Sequence, residues 1–98
     1  MPKSRSQLDV SLTVTFIREG NQFIAYSPAL DLSTAGATLE EAKKRFTEAL
    51  DIFIKETTKN RTLTDVLTDL GWQQSNNNWV PPMVVAHDSE VMKIPLPA

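Results

Sequence analysis

Cysteine is absent from this sequence, histidine occurs once, and glycine only three times. Without cysteine there are no disulfides and no thiolate metal sites, and the redox compartment is unconstrained. His87 has no second imidazole or thiolate with which to share a metal, so it reads as a solvated turn residue. Gly20, Gly36 and Gly71 stand alone, which removes any phosphate-cradling glycine loop. No apolar run approaches the length of a bilayer span, and Lys3 and Arg5 precede no signal-like core. Neither membrane nor secretory targeting is expected, and the default compartment is the cytoplasm. Charge of one sign is also scarce. A net charge of −2 lacks the basic face of an autonomous nucleic-acid binder.

What remains is a chain of 98 residues with 41% apolar and 22% charged content, enough for one modest globular domain. Its organising stretch runs from Thr34 to Thr57. Thr38 stands at an N-cap position with Glu41 three residues on, the pattern of a capping box. Gly36 permits a tight or positive-φ turn into that cap. Leu39, Ala42, Phe46, Ala49, Leu50 and Phe53 then recur at spacings of three and four, one apolar stripe. Glu40, Lys44, Arg45, Glu48, Asp51 and Lys55 occupy the opposite side. Glu40–Lys44, Glu41–Arg45 and Asp51–Lys55 are i,i+4 pairs in the favourable order.

Upstream, Leu8 to Ile17 alternates. Leu8, Val10, Leu12, Val14 and Phe16 face one way, and Asp9, Ser11, Thr13 and Thr15 the other, which predicts a strand with one buried face. A turn at Gly20-Asn21 leads to a second strand over Gln22–Tyr26, ended by Pro28. Leu30, Leu32 and Thr34 predict a short third strand. This meander exposes an apolar face that the helix at 38–58 is placed to cover.

Downstream, Thr62 opens a second helix with Asp65 at N3, an apolar stripe of Leu63, Val66, Leu67 and Leu70, and Gly71 as its stop. Trp72 is expected to pack back on the last turn. The polar run from Gln73 to Asn78 reads as a turn or hairpin tip. Met83–Ala86 and Val91–Ile94 are β-prone. An apolar tail of this kind adds a strand to its own sheet or reaches a neighbouring subunit. The expected fold is α+β: a three-stranded antiparallel meander on one long helix, a short second helix and a C-terminal strand. It forms one domain over residues 1–98, with 1–7 flexible and 83–98 an extended tail or strand.

Chemistry is sparse. Ser27, Asp31 and His87 make a triad only on paper, because no nucleophile-elbow pattern accompanies any serine. Asp9, Asp31 and Glu48 are the carboxylates a residual magnesium-dependent nuclease would need. Asp9 and Glu48, however, fall on solvated faces, where surface charge is the simpler reading. No catalytic, metal or cofactor site is expected, and the chain reads as a non-enzyme. Trp79, beside Val80 and two prolines, is the better interface candidate of the two tryptophans. Ile52 falls on the charged helix side with Glu41, Arg45 and Glu48, as a subunit contact would.

The segment from Phe16 to Leu50 resembles the HicB-like antitoxin family. The likeness lies in Phe23 to Tyr26, Ser27-Pro28-Ala29-Leu30, Leu32 to Ala35, Gly36 and Thr38-Leu39-Glu40-Glu41-Ala42. Leu70-Gly71-Trp72 and Trp79-Val80-Pro81-Pro82 extend it over about two-thirds of the chain. The resemblance implies a β-β-β-α-β layer like a reduced ribonuclease-H core without its catalytic carboxylates. It also implies binding and inhibition of a HicA-type mRNA-cleaving toxin, in a type II toxin-antitoxin system. Family members add a helix-turn-helix or ribbon-helix-helix domain that binds operator DNA. The residues after Gly71 are too few and too proline-broken for one, so a stand-alone member without direct DNA binding is expected. The partner-binding residues expected are Glu40, Glu41, Glu48, Ile52 and Trp79, with self-association as a dimer or tetramer. The alternative is a stand-alone homo-oligomeric regulatory or ligand-binding domain with no toxin partner.

Overall fold

A computed structural model describes residues 8–97; the expected flexible segment 1–7 lies outside them. The fold is α+β. Strands β1 (Thr15–Glu19), β2 (Gln22–Ser27) and β3 (Leu32–Gly36) form an antiparallel meander in the order β1-β2-β3. Helix α1 (Leu39–Lys59) covers one face of it, and α2 (Leu63–Asp69) leads into a hairpin of β4 (Gln73–Ser75) and β5 (Asn78–Val80).

Local chemistry sets each boundary. Glu19 pairs with Gln22 across a two-residue turn in which Gly20 takes a φ of +60°, the positive φ such hairpins require. The Thr38 hydroxyl accepts from the Glu41 N–H at 3.0 Å. The Glu41 carboxylate accepts in return from the Ala37 N–H at 2.6 Å, one residue upstream of the capping-box position. Glu41–Arg45 and Asp51–Lys55 close as ion pairs; Glu40–Lys44 does not.

Helix α2 ends in a complete Schellman motif. The Trp72 N–H donates to the Leu67 carbonyl and the Gly71 N–H to that of Thr68, with Gly71 at a φ of +93°. Trp72 and Leu67 supply the accompanying apolar contact. Thr62 precedes the helix without making a side-chain cap bond.

The core has two parts. Beneath α1, Ala25 and Ala42 meet Phe46, with Val14, Phe23, Leu32 and Leu50 around them. Gly36 matters here for space rather than for φ. A Cβ at Gly36 would lie 2.6 Å from the Ala42 nitrogen, so only glycine admits the helix this close to β3. The Arg45 guanidinium donates to the Ala35 carbonyl at 2.8 Å and the Thr34 hydroxyl to that of Ala42 at 3.1 Å. The second part gathers Ala29, Leu30, Leu67 and Trp72. Its tie is the Trp72 indole N–H, which donates to the Ala29 carbonyl at 2.7 Å across 43 residues of sequence.

Three expectations are corrected. The first strand begins at Thr15, not Leu8. Val10, Leu12 and Val14 are half-buried in alternation as the pattern predicts. They form no ladder, however, because β2 ends at Ser27 and the chain turns over Pro28–Asp31, so no strand lies opposite. The third strand likewise begins at Leu32; Leu30 is buried in that turn. The C-terminal strand is not formed within the chain: residues 81–97 carry no regular secondary structure. Two stripe residues also remain exposed at 40%, Leu39 at the first helical position and Phe16 on the edge strand. Helix α1 packs chiefly on β3 and β2, and Lys43 is what lies over the Phe16 ring, 6.0 Å from its centre.

Candidate interaction surfaces

Three surfaces qualify. The first is the solvent side of α1. Helical geometry aligns Glu41, Arg45, Glu48 and Ile52 along one ridge. Glu41 is committed locally, its carboxylate serving both the Ala37 N–H and Arg45. Glu48 is exposed and enters no ion pair among the described residues, and Ile52, one turn on, is 60% exposed. Glu40 is also exposed and enters no ion pair among the described residues, on the other flank of the helix's solvent side.

The second surface is an open apolar cleft of about 510 Å³ over the Trp72 half of the core. Leu50, Phe53 and Ile54 of α1 form one wall, Trp72 and Trp79 another, and Leu8, Val10 and Leu12 run along its side with Asp9. Trp79 therefore belongs to this cleft rather than to the α1 ridge, so the five residues expected at a partner surface fall on two separate faces. Segment 8–14 contributes to the cleft because it has no strand neighbour. Its period-two pattern was the available signal, but that pattern reads equally as a laddered strand.

The third surface is the tail. Met83, Val84, Val85, Val91, Met92, Ile94 and Leu96 are all exposed, between 47% and 88%. The molecule measures 75 × 29 × 21 Å, and its radius of gyration of 17.6 Å exceeds the roughly 13 Å of a compact chain this long. The tail projects.

No catalytic constellation forms among the described residues. Ser27 is fully buried while His87 lies exposed on the tail, so the paper triad does not assemble. No three His, Cys, Asp or Glu side chains converge as metal ligands among the described residues, and Asp9, Asp31 and Glu48 stay apart. Asp31 has a different task. At a φ of +50° in the turn after β2, it accepts from the Tyr26 hydroxyl at 3.1 Å. That hydrogen bond, with lesser contributions from burial and the carboxylate charge, raises the Tyr26 pKa above its ordinary value. The Asp51 carboxylate similarly raises the Lys55 ammonium. The buried Ser27 hydroxyl has no hydrogen-bond partner among the described residues. Among the described residues, no helix is long and apolar enough to cross a membrane. Compared with protein families, curated proteins and solved structures, the chain shows no significant match to any of them.

Proposed function

We propose that this chain is a protein-interaction domain of the HicB-like type, acting as an antitoxin that binds a small, basic, HicA-type mRNA-cleaving toxin and blocks it. The observation that carries the reading is the α1 ridge, where Ile52 remains exposed one turn from the unpaired Glu48. An apolar point beside the carboxylate of Glu48 suits a partner whose RNA-binding surface is basic, because opposite potentials steer encounter and fix orientation. The ridge is also rigid. Helix α1 is capped at Thr38 and pinned to β3 by Arg45, so presenting Glu48 and Ile52 costs little ordering on binding. The order of elements supports the family assignment: a hairpin, a proline turn, a short strand, a glycine and a threonine-capped helix follow one another as that pattern requires.

The test is co-expression of the tagged chain with the product of its neighbouring gene, read as the mass and stoichiometry of the purified complex. A stable complex with a small basic protein, and suppression of that protein's RNA cleavage, are expected. Combining Glu48→Lys with Ile52→Asp should weaken the complex by at least about tenfold, the effect of removing a central contact. Full inhibition by that variant would move the contact elsewhere, and a neighbour that is neither bound nor inhibited would end the toxin reading.

A further inference from the structure

We infer that the tail of one copy, Met83–Leu96, docks in the apolar cleft of a second copy of this chain, each molecule of a two-fold dimer lending its tail to the other. The two features are complementary and both are unfilled in one molecule. The cleft presents the half-buried Trp79, Phe53 and Leu50 around an open trough that the buried Trp72 also lines. In extended backbone Met92, Ile94 and Leu96 share one side, a period-two apolar stripe. Lys93 then points to the other side and is the only lysine or arginine of the tail; among the described residues Asp9 is the only carboxylate lining the cleft. A tail lying in the trough with its apolar side inward leaves Lys93 outward, free to meet a carboxylate at the rim.

The trough also has strand-forming backbone along one side. Segment 8–14 carries no regular secondary structure and joins no ladder among the described residues, so its backbone is available to an incoming β-prone Val91–Ile94. Addition of a strand to such an edge is a common way to bind an extended segment.

A second copy is favoured over the molecule's own tail by the way that tail departs. It leaves at Pro81-Pro82 and passes Ser11–Thr13 with Met83 and Val84; none of residues 83–97 lines the cleft of its own molecule, and the tail's apolar side chains stay exposed. At about 3.3 Å per residue, Met83–Leu96 spans roughly 45 Å, enough to cross to a neighbouring molecule. Exchange about a two-fold axis fills both clefts and covers both tails in one closed assembly. Tail and cleft lining together reach the roughly 20–30 residues per side of a standard stable interface. The same exposed side chains on a lone monomer would leave an apolar surface of the kind that marks an interaction site.

The experiment uses the chain by itself, so its outcome is independent of any toxin. Sedimentation equilibrium of the intact protein should give a dimer. Ile94→Asp with Leu96→Asp should weaken association by at least about a hundredfold, as expected for two anchoring side chains, while the helical circular dichroism stays unchanged. Because the chain has no cysteine, the pair Asp9→Cys and Lys93→Cys then reports who binds whom. Oxidation should yield a covalent dimer on a non-reducing gel. A monomer at all concentrations, a dimer that survives the tail substitutions, or a disulfide closed within one chain would each overturn the proposal.

Discussion

The two halves of the core are built in opposite ways. Beneath α1 the contact is made by small residues, Ala25 and Ala42, with Gly36 letting backbone approach backbone, and Phe46 filling what remains. Around Trp72 the contact is made by large residues, and it stays open as a cleft of about 510 Å³. Small residues permit an approach too close for anything to enter. Large rings held at a distance by one indole hydrogen bond leave a trough between them. The first half is finished within one chain, and the second offers apolar surface that one chain leaves partly uncovered.

Breaking the open half should have the largest effect. Trp72→Ala removes the ring and the tie to Ala29, and should destabilise by about 3–5 kcal/mol in urea unfolding. Trp72→Phe keeps most of the packing but leaves the Ala29 carbonyl unpaired, at about 1–3 kcal/mol. The closed half is tested by Gly36→Ala, whose added methyl meets the Ala42 nitrogen at 2.6 Å. Overpacking of this kind costs about 1–3 kcal/mol, and a cost near zero would show that α1 can shift without penalty.

Smaller effects sharpen the contrast. Thr38→Ala should cost about 1 kcal/mol by uncapping the helix that both halves share. Ser27→Ala should be neutral or slightly stabilising in thermal unfolding, because its buried hydroxyl has no partner among the described residues to lose.

The smallest effect belongs to the turn between the two halves. Tyr26 is the only tyrosine, so tyrosinate absorbance reads it directly. Its titration midpoint should lie above the ordinary value and fall toward it in Asp31→Asn. The neutral phenol is the form favoured in the fold. Its contribution is therefore fully present below the ordinary tyrosine pKa near 10 and is lost as pH rises through the higher folded value.

How much of this was legible in sequence differs between the halves in the same way. The α1 half was read nearly whole, since Thr38, Glu41 and the stripe through Ala42, Phe46 and Leu50 are local signals with a fixed period. The α2 stop at Gly71 and the return of Trp72 were equally local. Among the site residues, Ile52 stands exposed on the charged side of α1 as its helical position predicts. Trp79 was singled out, but not the cleft it lines.

Local pattern therefore determined the helices and the hairpin turn, because caps, turns and periodicity act over a few residues; it did not fix an inward side for β1, whose residues are all exposed. Tertiary structure alone decided where β1 begins, since a ladder needs a neighbour and β2 turns away at Pro28. It decided that Gly36 is required for the nearness of Ala42 rather than for a positive φ. It joined Trp72 to Ala29, groups no local rule connects. It also left the tail without a strand to pair with, because pairing depends on what lies beside a segment and not on the segment's own residues.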